Sequence, residues 1–196
     1  MTTILAVQGD TWATVGFDSL VSDENGRTVL LGQGSSKIAK NGQYLLGAAG
    51  DVRAINLLTH AFTPPRPGTL VGPRLDKFIT SKFIPALREC FEDHGYVGRE
   101  SKEKASHGSI VLVLVNGAVY EIDEDYSWVR DATGIYVAGT GADFALGAFY
   151  AMVGKKSIQS FALEEIKKMI KESVTIATGL DAGSGGIVKV LQQVSP

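Results

Sequence analysis

Thr2 is the second residue of the chain, and at this position its hydroxyl could act as a nucleophile. It follows the initiator Met1, and a small second residue is the usual condition for removing that methionine, so the sequence predicts Thr2 as the mature N-terminus. A terminal threonine joins a hydroxyl to an α-amine whose reference pKa is about 7.7–8.0, so one residue supplies both nucleophile and base. Sequences that begin Met-Thr are common, and this feature alone is weak.

Short motifs rich in glycine or charge accompany Thr2, each at the end of a predicted strand or helix. Singly, each has an ordinary interpretation: Asp18 as a turn residue, Lys37 as a solvated side chain, Gly50 as the neighbour of a helix cap. The usual signatures GxSxG, HExxH, Walker A and GxGxxG followed by a helix do not occur. The motifs are, in order, Gly16-Phe17-Asp18, Ser36-Lys37-Ile38, Gly47-Ala48-Ala49-Gly50-Asp51, Gly139-Thr140-Gly141 and Asp181-Ala182-Gly183-Ser184-Gly185-Gly186.

Together with Thr2, these motifs resemble the proteasome β-subunit family of N-terminal nucleophile hydrolases over nearly the whole chain. The start and the compact length are most similar to the bacterial ring peptidase that works with an ATP-dependent unfoldase. By this resemblance Thr2 is the nucleophile of a threonine-type endopeptidase. Lys37 would lie beside it and lower the proton affinity of its amine and hydroxyl, and Asp18 would keep that lysine charged and oriented.

The resemblance also assigns roles to the later motifs. The Gly50 amide would point at the developing oxyanion, just ahead of a helix whose N-terminus favours negative charge. Asp181 and Ser184 would hydrogen-bond around the terminal amine, and Gly185 would allow close backbone approach. Thr140 stands where the family usually carries serine in a Gly-Ser-Gly, which keeps the hydroxyl and adds a methyl group.

The same resemblance implies partners. It predicts self-association into a ring or stacked rings, with protein or peptide substrates cut in an interior chamber. An ATP-dependent unfoldase is expected for folded substrates, because this chain has no nucleotide-binding loop. No cofactor and no metal ion are expected. Two alternatives stay open: an inactive ring or scaffold protein that retains Met1, and an N-terminal nucleophile amidohydrolase that acts on small amides.

Two regions are expected to shape the substrate pocket. The segment from Ser19 to Ser36 is longer than in the compact bacterial form, and Asp23-Glu24-Asn25-Gly26 predicts an extended hairpin tip that reshapes a rim. Ala48, Ala49 and Val52 are expected to line the near wall of the side-chain pocket, which favours apolar residues before the cut.

The composition fits a single domain over residues 1–196. Hydrophobic residues make up 44% of the chain and charged residues 20%, enough for a continuous core. A formal net charge of -2 gives no broad positive field, so neither nucleic acid nor membrane is expected as a partner. Cys90 is the only cysteine, and the first residues resemble neither a signal peptide nor a transmembrane helix, which predicts a cytoplasmic protein. His60, His94 and His107 lack metal-ligand spacing and are expected to be structural or exposed.

Turn residues and hydrophobic spacing predict the order of elements. Asn-Gly pairs at 25–26, 41–42 and 116–117 separate strand-like runs, which is typical of hairpins. Helical spacing follows the 41–42 and 116–117 hairpins, and Pro85 is expected to kink or divide one of these helices. Ser160 is expected to cap the last helix, with Glu164 paired to Lys168. The final strand is predicted at 186–191.

The resulting order of strands, helices, strands, helices and strand favours an α+β fold over an alternating βαβ arrangement. Several strands are apolar at consecutive positions, so both of their faces must be covered. We therefore predict a four-layer αββα sandwich, in which two antiparallel sheets lie between helical layers.

Overall fold

Two antiparallel sheets form the centre of the structure. The computed structural model describes residues 2–23, 25–32, 34–96 and 107–196. The first sheet contains, in spatial order, β10 (Ile135–Ala138), β1 (Ile4–Gln8), β2 (Trp12–Phe17) and β11 (Lys189–Val194). The second contains β5 (Ile38–Asn41), β6 (Tyr44–Gly50), β7 (Ser109–Val115), β8 (Ala118–Ile122) and β9 (Trp128–Val129). A separate hairpin pairs β3 (Leu20–Ser22) with β4 (Thr28–Leu30).

The two sheets pack against each other through alternate residues of their strands. Along β1, Ile4 and Ala6 belong to the core between the sheets, whereas Leu5 and Val7 belong to the core beneath a helical layer. All four are fully buried. Because side chains alternate between the faces of a strand, a strand covered on both faces must be apolar throughout.

Helices cover the outer face of each sheet. The second sheet packs against α1 (Val52–His60), α2 (Pro73–Phe78) and α3 (Ile84–Asp93). The first packs against α4 (Ala142–Val153) and α5 (Leu163–Leu180). The predicted αββα sandwich is confirmed. Within the described ranges, none of the helices is long and apolar enough to cross a bilayer.

The predicted hairpins form at the Asn-Gly pairs. Asn116 and Gly117 connect β7 to β8 with φ angles of 49° and 78°, the pair of positive values that a type I′ turn requires. Asn41 and Gly42 connect β5 to β6. Asn25 and Gly26 lie between β3 and β4, but Glu24 of the predicted tip is outside the described residues.

The helix that contains Pro85 changes its hydrogen-bonding pattern but stays continuous. A π-helical segment, Ile79–Phe83, joins α2 to α3, and the Ile84 amide donates to the Ile79 carbonyl across the wider π spacing. Pro85 then lies in the first turn of α3, where a missing N–H removes little hydrogen bonding. The division is the one that the sequence predicted.

The start of α5 differs from prediction. Ala162, not Ser160, is the capping residue, because Ser160 belongs to a 3-10 turn, Ile158–Ser160, that precedes the helix. The Ala162 amide donates to Glu165 Oε2 at 2.8 Å, which satisfies a backbone donor from within the first turn.

Two further details were also predicted wrongly. Glu164 pairs with Lys167 at 2.7 Å and not with Lys168. Residues three and four apart share a helix face, so spacing alone does not choose between these partners. The last strand is Lys189–Val194 and not 186–191, since the loop after α5 extends further than its glycines indicated.

Candidate active site

A cleft opens where the end of β6 meets the start of α1. It encloses about 620 Å³, including the space at its mouth. Thr2, Lys37 and Gly50, which are distant in the sequence, all contribute to its wall. Further wall residues include Val21 of β3, Leu31 directly after β4, and Val52, Ile55 and His60 of α1.

Asp18 is the buried anion at the base of this site. It directly follows β2 and is 0% exposed. Its Oδ1 accepts from Lys37 Nζ at 2.6 Å and from the Thr3 amide at 3.0 Å. Its Oδ2 accepts from the amides of Leu20 at 3.2 Å and Gly185 at 2.9 Å. A buried carboxylate is tolerated when its oxygens are saturated with donors, and this arrangement supplies two to each oxygen.

Lys37 reaches Asp18 from the residue before β5, with a side chain only 4% exposed. Burial lowers the pKa of Lys37, and the charge and hydrogen bond of Asp18 offset this only in part. The ammonium is thus a buried cation that holds its proton less tightly than a lysine in water. The sequence prediction that Asp18 would orient Lys37 agrees with this geometry.

Thr3 is a member of the site that the sequence analysis missed. It is fully buried, its amide donates to Asp18, and its carbonyl accepts from the Asp18 amide at 3.3 Å. Its hydroxyl lies 2.7 Å from Ser184 Oγ. The sequence did hold a signal for Thr3: neighbouring side chains of an extended chain point to opposite faces, so Thr2 and Thr3 cannot both face the cleft. A polar residue beside Thr2 at the edge of an apolar strand therefore needed a buried partner.

Gly139 allows the loop before α4 to approach the chain start. Its φ is +98°, and a Cβ there would lie 2.0 Å from the Thr2 carbonyl oxygen. A Cβ on Gly141 would lie 1.9 Å from Thr3 Oγ1, while the Gly141 amide donates to the Thr2 carbonyl at 3.3 Å. Only glycine fits at both positions, which explains the Gly139-Thr140-Gly141 motif.

Asp181, Thr140 and Ser184 form a second polar group next to Thr3. Thr140 Oγ1 and Ser184 Oγ donate to Asp181 Oδ2 at 2.7 and 2.6 Å, and the Gly183 amide donates to Oδ1 at 3.1 Å. Burial alone would raise the pKa of Asp181, but these hydrogen bonds hold it below its usual value. The methyl group that Thr140 adds does not prevent its hydroxyl from binding the carboxylate.

The expected contact of Asp181 and Ser184 with the terminal amine stays a prediction. The hydrogen bonds given above connect Ser184 to Thr3 and Asp181 to Thr140. The amide of Gly185 donates to Asp18 and its carbonyl accepts from the Ser19 amide at 3.0 Å, while its approach to the terminal amine stays a prediction.

Gly50 ends β6 and stands in the cleft wall with a φ of +132°. A Cβ there would lie 2.5 Å from the Gly108 carbonyl oxygen and 2.6 Å from Ser109 Oγ, so no larger residue fits. Asp51 caps α1 by accepting from the Arg53 amide at 2.8 Å. The oxyanion role of the Gly50 amide stays a prediction.

The pocket wall is partly as expected. Ala48 and Val52 line the cleft, but Ala49 is buried in the core between the sheets. The pleat of β6 accounts for the error, since adjacent residues of a strand face opposite sides. Leu31 and Val21 bring the 19–36 segment into the wall, and its reshaping of a rim stays a prediction. Residue 33 of this segment is outside the described ranges.

The histidines have different environments. His60 lines the cleft, His94 is exposed with Nδ1 2.8 Å from the Cys90 carbonyl, and His107 is buried. In the part of the chain that the structure describes, no three His, Cys, Asp or Glu side chains converge on a metal-sized site.

Neither protein-family models nor curated proteins match this sequence. Solved structures do. BPH from Thiobacillus denitrificans matches with a TM-score of 0.73 and 19% identity, over 100% of both chains. The complex of that protein with epoxomicin matches with a TM-score of 0.72 and 20% identity, again over 100% of both chains. The chain has their fold.

A eukaryotic protein shares it as well. HslV from Trypanosoma brucei matches with a TM-score of 0.63 and 20% identity, over 98% of this chain and 99% of that one. Matches at this identity establish a common fold, and the fold agrees with the sandwich that the resemblance to the proteasome β-subunit family predicted.

Proposed function

We propose that this chain is a threonine-type endopeptidase of the proteasome β-subunit family, with Thr2 as nucleophile after removal of Met1. The observation that carries the proposal is the buried Lys37–Asp18 ion pair, in which the lysine shares the cleft wall with Thr2. A solvated lysine would need no such carboxylate, and a structural pair would not need to reach a cleft. The fold of a protein that binds epoxomicin supports the same class.

The reaction would begin at Thr2. Its Oγ attacks the scissile carbonyl carbon, and the hydroxyl proton passes to its own α-amine, directly or through a water. The Lys37 ammonium keeps the amine neutral by charge repulsion, and it stabilises the forming alkoxide by charge attraction and hydrogen bonding. Asp18 fixes the position of that ammonium and keeps it charged.

The tetrahedral intermediate would place its oxyanion at the Gly50 amide. Collapse breaks the C–N bond, and the leaving amine takes the proton from the Thr2 ammonium. Water then attacks the resulting ester, and the same amine accepts the water proton. That proton passes to Thr2 Oγ as the ester C–O bond breaks, which releases the acid product and restores the Thr2 hydroxyl. Thr140, Asp181, Ser184 and Gly185 would hold the chain start in register for both steps.

Assembly and substrate follow from the same proposal. We infer a homo-oligomeric ring or stacked rings that enclose the active sites, peptide or unfolded protein as substrate, and an ATP-dependent unfoldase as partner for folded substrates. The described wall residues Val21, Leu31, Ala48, Val52 and Ile55 favour an apolar side chain before the cut.

The test compares peptide hydrolysis by the wild-type chain and its Thr2 variants. Wild type should cleave a fluorogenic peptide amide with an apolar residue before the cut, and unfolded casein. Thr2→Ala should lose at least ~10³-fold in kcat, since nucleophile removal eliminates the covalent route. Thr175→Ala, at an exposed threonine on α5, is the matched control and should keep full activity.

Two outcomes would favour the rival functions. Wild type without turnover of either substrate, and with Met1 retained in its intact mass, would indicate a scaffold protein. Turnover of a small non-peptide amide that depends on Thr2, with casein and the peptide uncut, would indicate an amidohydrolase.

A further inference from the structure

Ser109 lies directly behind the strand end that brings Gly50 to the cleft. It is the first residue of β7 and pairs with Gly50 in the register of the second sheet. Its side chain is buried, and its Oγ accepts from the Asp51 amide at 3.1 Å. This hydrogen bond fixes the peptide unit that follows Gly50 and, together with the β6–β7 pairing on its other side, restricts the rotation about the Gly50 Cα that would turn the Gly50 amide.

Tyr96 fixes the hydroxyl of Ser109 in turn. The two oxygens lie 2.8 Å apart, and Tyr96 is buried with its ring edge-on to Phe91 at 5.0 Å between centroids. Burial raises the pKa of Tyr96, so its hydroxyl stays protonated near neutral pH. With either hydroxyl as donor to the other, Ser109 keeps a lone pair for the Asp51 amide.

The space around Gly50 makes this support stiff. A Cβ on Gly50 would lie 2.6 Å from Ser109 Oγ, so the serine hydroxyl occupies the volume beside the Gly50 Cα. Movement of that hydroxyl would change both the backbone hydrogen bond and the room available to Gly50.

We infer that Ser109, held by Tyr96, is a positioning residue that sets the direction of the Gly50 amide toward the oxyanion. The inference rests on the proposed peptidase function. The contribution of Ser109 arises when negative charge develops on the carbonyl oxygen and is small while the substrate is merely bound. Its loss lowers kcat and leaves KM nearly unchanged.

The experiment compares one peptide sequence in three chemical forms. The amide substrate and the peptide aldehyde both give a tetrahedral carbon with an oxygen at the oxyanion position. The peptide vinyl sulfone is attacked at the alkene carbon β to its sulfone, and the negative charge develops on the carbon next to the sulfonyl group, away from the oxyanion position. In the assembled protein, Ser109→Ala should lower kcat about tenfold and raise the aldehyde Ki about tenfold, while vinyl sulfone inactivation stays within about twofold. Tyr96→Phe should lower kcat and raise the aldehyde Ki by about threefold each.

Ser173→Ala is the matched control, because Ser173 is also fully buried and donates one hydrogen bond, to the Met169 carbonyl in α5. It should leave all three reactions unchanged. Equal losses with the aldehyde and the vinyl sulfone, or no loss with either, would overturn the inference. Should Ser109→Ala fail to fold, Tyr96→Phe tests the inference by the same comparison of the aldehyde with the vinyl sulfone. A wild-type activity that persists in Thr2→Ala would instead refute the peptidase proposal itself.

Discussion

Asp18 and His107 are buried to the same extent but are surrounded differently. Asp18 is 0% exposed and receives four hydrogen bonds, one of them from the Lys37 ammonium. His107 is 1% exposed, and neither ring nitrogen has a hydrogen-bond partner among the described residues. Its neighbours are aromatic, with the Tyr126 and Phe91 rings at 4.7 and 5.3 Å.

The difference shows how this fold separates charged from neutral buried groups. Four donors, at separate positions along the chain, surround Asp18 and compensate for the burial of its carboxylate beside Lys37. Around His107, burial lowers the pKa to about 4, although Asp123 and Asp125 act in the opposite direction. The first region can therefore supply charge to a reaction, and the second contributes packing by a neutral ring.

Breaking the ion pair should have the largest effect. Lys37→Met should lower kcat of the assembled protein by roughly 10²–10⁴-fold, because the cation beside Thr2 is lost. It should also lower the free energy of unfolding by about 3–5 kcal/mol, because Asp18 loses its counter-charge. Activity assays and denaturant unfolding measure the two effects.

A double variant separates these effects. Asp18→Asn added to Lys37→Met removes the unpaired charge and should recover part of the stability but none of the activity. Recovery of activity in the double variant would show that Lys37 acts only by neutralising Asp18.

The neutral state of His107 predicts a pH-dependent stability. Its pKa is lower in the folded chain than the 6.5 of an unfolded histidine, so the unfolded state binds the proton more readily. The contribution is fully favourable above pH 6.5 and is lost as pH falls toward 4, by about 3 kcal/mol. Urea unfolding at pH 7 and pH 4 measures it as the difference between wild type and His107→Phe.

A histidine control keeps this prediction specific. His60→Gln changes an exposed residue and should leave the acid loss of stability as in wild type. Equal pH dependence in wild type and His107→Phe would mean that His107 is protonated as easily in the folded chain as in the unfolded one.

Next to Asp18, the hydrogen-bonded side chains of Thr3 and Ser184 should contribute to stability as a coupled pair. Thr3→Val keeps the volume and removes the hydroxyl that meets Ser184 at 2.7 Å, so it should destabilise by about 1–2 kcal/mol. A double-mutant cycle with Ser184→Ala should give a coupling energy of about 1 kcal/mol. Additive effects of the two changes would contradict a direct hydrogen bond.

The smallest contrast compares two buried tyrosines. Tyr126 has no hydrogen-bond partner for its hydroxyl within the described residues, whereas the Tyr44 hydroxyl donates to the Pro65 carbonyl at 2.7 Å. Tyr126→Phe should be neutral or stabilise the fold by up to about 1 kcal/mol, and Tyr44→Phe should destabilise it by about 1 kcal/mol. Loss of stability in Tyr126→Phe as large as that in Tyr44→Phe would remove the distinction.

The layers of the fold could be predicted because local chemistry specifies them. A two-residue hairpin requires the positive φ angles that Asn116 and Gly117 tolerate, and the apolar run 4–7 of β1 requires cover on both faces. The prediction that Asp18 pairs with Lys37 came from resemblance to a family, since the local sequences 16–18 and 36–38 do not indicate which side chain either residue contacts.

Other features depend on three-dimensional neighbours that no local pattern contains. His60, His94 and His107 look equivalent in the sequence, yet one lines the cleft, one is exposed and one is buried among rings. Thr3 and Ser184 meet because a loop after the last helix returns to the first strand. Ala48 and Ala49 differ only in the phase of the pleat, which depends on the register of β6.

Intact mass followed by peptide mapping, before and after incubation with epoxomicin, tests the central claim most directly. An epoxyketone offers electrophilic carbons to both the hydroxyl and the amine of a terminal threonine. We expect a mass without Met1, one added inhibitor per chain located on Thr2, and no adduct in Thr2→Ala. A chain that retains Met1 and carries no adduct, or an adduct that persists in Thr2→Ala, would contradict Thr2 as the nucleophile.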